Sequence, residues 1–114
     1  MSQCLFCAIA AHEIPATFVR EQDDVFAIRD VNPQAPTHVL VLPREHIESA
    51  AALTTAHGEL WHRMLMTAQE IARDEGVADG GYRLVVNVGS QGGQTVSHLH
   101  VHVLGGRQMT WPPG

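Results

Sequence analysis

His98-Leu99-His100-Val101-His102-Val103-Leu104 sets three histidines at strict two-residue spacing with aliphatic residues between them. In extended backbone successive side chains point to opposite faces. The spacing therefore predicts one face of imidazoles and one of Leu99, Val101 and Val103 that enters a core. A row of imidazoles is chemically loaded, because histidine titrates nearest neutral pH and serves as nucleophile, proton shuttle or metal ligand. A half-buried strand that merely carries histidines on its outer face would account for one or two of them; three in register point to chemistry. The middle imidazole, His100, is the predicted nucleophile.

Immediately upstream, Gly89-Ser90-Gln91-Gly92-Gly93-Gln94-Thr95 delivers the chain to this run. Glycines let backbone N–H groups approach an anion closely, and Ser90, Gln94 and Thr95 add polar groups suited to a phosphate. The plain alternative is a flexible hairpin loop, and position beside His98 is what favours the phosphate.

Working outward, β-rich runs bounded by turn residues occur at Thr17–Arg20, Val25–Asp30, Val39–Leu42, Leu84–Val88 and Val96–Leu104. Pro33 and Pro36 make the segment from Asp30 to Thr37 a stiff loop. Between Thr55 and Glu75, Leu60, Trp61, Met64, Leu65, Ala68, Ile71 and Ala72 form one helical stripe, with Thr54 or Thr55 as its N-cap and Gly76 past its end. A shorter helix is expected over Leu5–Ala11. Five strands joined by short loops, one long helix and a short N-terminal helix predict an α+β domain with a mostly antiparallel sheet.

At 114 residues, 45% apolar and 17% charged, the chain is expected to form one soluble globular domain over residues 1–114. Apolar runs such as Val39-Leu40-Val41-Leu42 are far shorter than the roughly 20 residues a bilayer requires, so no membrane partner is expected. Met1-Ser2-Gln3-Cys4 carries no secretory pattern, which predicts a cytoplasmic protein. A net charge of −5 argues against nucleic-acid binding and leaves small phosphate compounds as partners. In a reducing compartment Cys4-x-x-Cys7 reads as half a metal site, a redox pair or two packed thiols. Zinc favours thiolate and imidazole ligands, and His38, His46 and His98 are candidates to complete a tetrahedron.

The histidine run, preceded by Gly92-Gly93-Gln94-Thr95-Val96, resembles the signature of the histidine triad (HIT) superfamily. Val31-Asn32-Pro33-Gln34-Ala35-Pro36-Thr37-His38 and the ending Gly105-Gly106-Arg107-Gln108-Met109-Thr110-Trp111-Pro112-Pro113-Gly114 are similar to its Hint branch, the histidine triad nucleotide-binding proteins. The resemblance spans nearly the whole chain. It implies a homodimeric HIT-like fold and a purine nucleoside phosphoramidase that splits AMP–amine bonds through a nucleotidyl-histidine intermediate.

Carried over by motif, His100 is the catalytic nucleophile, His102 the phosphate-side partner, and His98 and His38 order protons and hydrogen bonds around them. Asn87, Gly93, Gln94 and Thr95 match phosphate-side positions, and Asp30 the carboxylate on the ribose hydroxyls. Phe6, Ile9, Ile14, Ile28 and Val31 match the base pocket, and Trp111 an aromatic reaching the partner subunit's site. The implied ligands are AMP, GMP or their phosphoramidates. The chemistry needs no metal, because imidazole and backbone N–H groups stabilise the charge on phosphate.

Two departures bear on the substrate and the metal. Eukaryotic Hint members commonly lack the cysteine pair, whereas bacterial relatives and galactose-1-phosphate uridylyltransferases carry it with zinc; the ligands implied here are Cys4, Cys7, His46 and His98, in a structural role. The tyrosine common before the triad is Ser97, and Gln94-Thr95-Val96 also occurs in the Fhit-like branch. The alternatives are therefore a dinucleoside polyphosphate hydrolase or a non-catalytic nucleotide-binding module.

Overall fold

The computed structural model describes residues 3–114; Met1 and Ser2, part of the stretch read above for a leader, lie outside the described residues. The elements run α1 (Leu5–Ala10), β1 (Phe18–Glu21), β2 (Val25–Arg29), β3 (Thr37–Pro43), two 3-10 turns (Ala50–Ala52 and Thr55–His57), α2 (Gly58–Asp74), β4 (Tyr82–Val85) and β5 (Val101–Gly105). The five strands form one antiparallel sheet in the order β1-β2-β3-β5-β4, as the short loops require. The C-terminal strand thus lies inside the sheet, with the chemistry-bearing run next to β3. No helix among the described residues is long and apolar enough to cross a membrane.

Alternation divides the core into two layers. Val25, Ala27, Val39, Val41, Leu99, Val101 and Val103 meet Met64, Ala68, Ile71 and Ala72 of α2 on one face. Phe26, Ile28, Leu40 and Leu42 meet Phe6 and Ile9 of α1 on the other. Every residue of β3 is buried, as expected for a strand covered on both faces. With only six residues, α1 covers part of its face and leaves the rest of that face as a cleft.

Boundaries depart from the sequence reading where backbone partners decide them. The predicted strand Val96–Leu104 is regular only from Val101, because the N–H of His98 bonds Val96 O and that of Leu99 bonds Ile47 O at 2.7 Å, outside the sheet. In the other direction, β3 begins at Thr37 rather than Val39, since Thr37 pairs with Gly105 and His38 with Leu104. The fourth strand is displaced from Leu84–Val88 to Tyr82–Val85, entered from Gly81 at φ +97. Helix α2 starts at Gly58 because Thr54 and His57 form a capping box on the preceding 3-10 turn; Gly76 follows its end at φ +76.

Candidate active site and metal cluster

Strand pairing places the site residues before any ligand is considered. Directly paired residues share a face, so Ile28, Leu40, His102 and Val85 form one row across the sheet on the side that α1 leaves open. His38, two residues before Leu40 on β3, shares that face. Phe6 of α1 sets its ring edge against His98 and His100, at centroid distances of 5.9 and 5.1 Å. The resulting cavity, about 290 Å³, is lined by Phe6, Ile9, Ile28, Asp30, Val31, Leu40, Thr95, His100 and His102, with Leu5, Pro15, Ala16, Arg29 and Val96.

Hydrogen bonds fix the direction in which each imidazole presents itself. His100 is 7% exposed, and its Nδ1 lies 2.6 Å from the carbonyl oxygen of His98. A carbonyl only accepts, so Nδ1 carries the proton and Nε2 keeps its lone pair. The N–H of Gln34 donates to His38 Nδ1 at 3.0 Å, so neutral His38 carries its proton on Nε2. That Nε2–H lies 2.9 Å from His102 Nδ1 and 3.3 Å from Asp30 Oδ2. His102 therefore accepts at Nδ1 and is left with Nε2–H for the cleft.

Burial, opposed by the Asp30 carboxylate, holds His38 below the ordinary imidazole pKa. His102 is pushed down to about 4, first by burial and then by the neighbouring His100 and His38. It is a neutral hydrogen-bond donor at pH 7. Asp30, His38 and His102 bring donor atoms within 4.8 Å of one another, as a cation site would. The Gln34 N–H argues against a cation there, because His38 Nε2 would have to lose its proton while Nδ1 remains an acceptor. The cluster is a hydrogen-bond relay.

A second cluster lies behind the first. Cys4, Cys7, His46 and His98 bring their ligand atoms within 4.8 Å of one another. Cys4 sits at the N-cap of α1, and the N–H of Cys7 points at its sulfur at 3.4 Å, the turn that lets C-x-x-C present two thiols together. His98 Nδ1 lies 3.3 Å from Cys4 Sγ and 3.5 Å from Cys7 Sγ, and His46 Nδ1 lies 3.3 Å from Cys7 Sγ. In a zinc tetrahedron, ligand bonds of about 2.0–2.3 Å give sulfur–nitrogen edges of about 3.5 Å, so the spacing fits. His98 Nε2 donates to Pro43 O at 2.9 Å, which leaves the Nδ1 lone pair facing the sulfurs. Burial holds the His98 pKa down, opposed by the Pro43 bond. A neutral imidazole is the ligating form.

The remaining sequence-predicted residues stand apart from the cavity wall. Gln94 accepts from the N–H of Gly89 and donates to Glu48 O and Val96 O, so its amide closes the glycine loop. Asn87 donates to Gly92 O at 2.7 Å within the same loop, and Gly93 adopts φ +80 beside it. Ile14 is 38% exposed outside the cavity, and Trp111, 82% exposed, does not line the cleft of its own chain. Leu40 of the cleft wall lies in the run Val39–Leu42, read from sequence only as a strand, and alternation places it on the face of His38. The Gln34 amide is a backbone group and leaves no residue-type signal.

Comparisons with known proteins agree on one family. The HIT domain model matches residues 11–109, leaving Cys4 and Cys7 outside the matched span. A HIT family hydrolase from Legionella pneumophila Philadelphia 1 has a similar structure, with a TM-score of 0.97 and 53% identity, covering 98% of this chain and 100% of that one. The 14 kDa zinc-binding protein of Zea mays is 47% identical over 115 aligned positions, 99% of this chain and 89% of that protein. Adenylylsulfatase HINT1 of Arabidopsis thaliana is 45% identical over 115 positions, 99% of this chain and 78% of that protein.

Proposed function

This chain belongs to the HIT domain family, and we propose that it is a hydrolase that cleaves the phosphorus–nitrogen bond of AMP- or GMP-linked amines through a nucleotidyl-His100 intermediate. The observation that carries the reading is the 2.6 Å bond from His100 Nδ1 to the His98 carbonyl, which leaves the Nε2 lone pair as nucleophile. The HIT family hydrolase named above supports the reaction class.

In the proposed reaction the base lies in the apolar part of the cleft, against Phe6, Ile9, Ile28 and Val31. Asp30 accepts from the ribose hydroxyls. Asn87, Gly93 and Gln94 shape the loop through bonds within it, and the loop carries Thr95 to the cleft, where it faces the phosphate in this reading. His100 Nε2 attacks phosphorus, the phosphorus–nitrogen bond breaks, and the leaving nitrogen takes a proton from solvent in the cleft, while neutral His102 donates its Nε2–H hydrogen bond to a phosphate oxygen. The adduct is an imidazolium whose Nδ1–H stays on the His98 carbonyl. Water then attacks phosphorus, the bond to His100 Nε2 breaks, the nucleoside monophosphate departs, and the proton released by the water passes to solvent, replacing the one the leaving amine took.

Cys4, Cys7, His46 and His98 would hold a structural zinc, which fastens the N-terminus to the segment carrying His98 and His100. The zinc-binding relative from maize supports this role. The active form is a homodimer in the cytoplasm, with Trp111 directed to the partner's cleft; its 82% exposure supports that placement.

A second reading keeps the adduct and changes the leaving group to sulfate, as the name of the Arabidopsis relative suggests. Rates measured side by side on an AMP phosphoramidate, adenylyl sulfate and a diadenosine polyphosphate decide among substrates. For the mechanism, His100→Ala is expected to abolish turnover while AMP binding persists, and near-normal turnover by that variant would exclude it.

A further inference from the structure

We propose that Arg107 is a positioning residue: through the backbone of Gln34 it fixes which nitrogen of His38 carries the proton, and through His38 the proton that His102 presents to the cleft. Arg107 Nε donates to Gln34 O at 2.9 Å. Gln34 N–H donates to His38 Nδ1 at 3.0 Å, and His38 Nε2–H reaches His102 Nδ1 at 2.9 Å. Every link in this chain has a direction. The guanidinium and the amide only donate, the carbonyl only accepts, and each imidazole follows from the group before it.

The position of Arg107 makes it the outside brace of the segment. Residues 31–36 are otherwise held from within residues 30–38, by Asn32 N–H to Asp30 Oδ1 at 2.8 Å, Gln34 Nε2 to Asn32 O at 3.0 Å and the Gln34 N–H to His38 Nδ1 bond itself. Among the described residues, Arg107 is the only side chain outside residues 30–38 that hydrogen-bonds to this segment. It leaves the end of β5 directly after Gly106, whose φ is +91 and where an added Cβ would stand 3.0 Å from Pro36. The tail and the loop therefore meet closely at the point where the guanidinium acts. Arg107 also differs from the arginines that hold carboxylates, because its bonds go to the backbone oxygens of Gln34 and Gln108.

The effect on turnover rests on the roles given to His100 and His102 above; the protonation pattern of His38 does not. The test is histidine nitrogen NMR on the full chain without substrate, combined with steady-state kinetics on an AMP phosphoramidate. In the native protein His38 should give the signature of an Nε2–H imidazole with an acceptor Nδ1. In Arg107→Ala a population of the Nδ1–H form should appear and kcat should fall about 3- to 10-fold, the size of one lost hydrogen bond, with KM within about twofold. Arg107→Lys, which keeps a donor, should restore most of both. Gln34→Pro deletes the amide donor itself and should reproduce the NMR change. Arg83→Ala, which releases the tail at Thr110 O instead, should not. An unchanged His38 signature in folded Arg107→Ala or Gln34→Pro overturns the proposal whatever the rates are. If the signature changes while every variant is inactive on all substrates tested, the positioning stands and the reading of the reaction fails.

Discussion

Removing His102 should flatten the acid side of the stability curve. Its pKa lies at about 4 in the folded chain against an ordinary 6.5. Between those values the unfolded chain binds the proton and the folded chain does not. Stability from this group is therefore fully present above about pH 6.5, is lost as pH falls, and changes no further below about pH 4. At about 1.36 kcal/mol per pKa unit the ceiling is about 3.4 kcal/mol, and residual solvent contact reduces the expectation to about 1–2 kcal/mol. With unfolding entropy of about 2.1 cal/mol/K per residue, this corresponds to about 4–8 °C in Tm for a chain of this length.

The perturbation is His102→Asn, and the assay is thermal unfolding followed from about pH 7.5 to about pH 4. Protonation of the cysteine–histidine cluster is common to both proteins and cancels in the difference. The native chain should lose about 4–8 °C more than the variant across this window. Equal losses within about 1 °C would refute the argument that a half-buried, neutral His102 accepts from His38.

Three further outcomes follow from the same geometry. Cys7→Ser should lower bound zinc per chain as read by metal analysis, lower Tm, and reduce kcat, because the proposed zinc site takes a ligand from His98, whose carbonyl also orients His100. Gly92→Ala should distort the phosphate loop, since a Cβ there would lie 2.3 Å from Val88 O; steady-state kinetics should show at least a tenfold loss of kcat/KM, roughly the 1–3 kcal/mol of an overpacked contact. Asp30→Asn should raise KM for a ribonucleotide substrate about tenfold by weakening a charge-assisted hydrogen bond. The same change should have little effect on KM for a substrate without the ribose 2′ and 3′ hydroxyls.

The histidine run was legible because alternation is local: Leu99, Val101 and Val103 enter the helix-side core, while His100 and His102 reach the cleft. The stripe from Leu60 to Ala72 identified α2 for the same reason, and Gly76 marked its end. What sequence could not carry was partnership across the fold. Thr37 and His38 become strand only because Gly105 and Leu104 lie beside them, and residues 96–100 leave the strand because Ile47 O takes the Leu99 N–H. The chemistry divided the same way. Residue types pointed to a nucleophile and to a thiolate–imidazole metal set, whereas the bonds that set the protons of His100, His38 and His98 come from peptide groups of His98, Gln34 and Pro43, which residue type does not reveal.

The central claim is that His100 carries the nucleotide between the two halves of the reaction. Rapid quenching with an AMP phosphoramidate, followed by intact-mass and peptide analysis, measures this directly. The account predicts one nucleoside monophosphoryl group per active chain, on His100 and absent from His100→Ala. Turnover without an adduct, or an adduct on another residue, would contradict it.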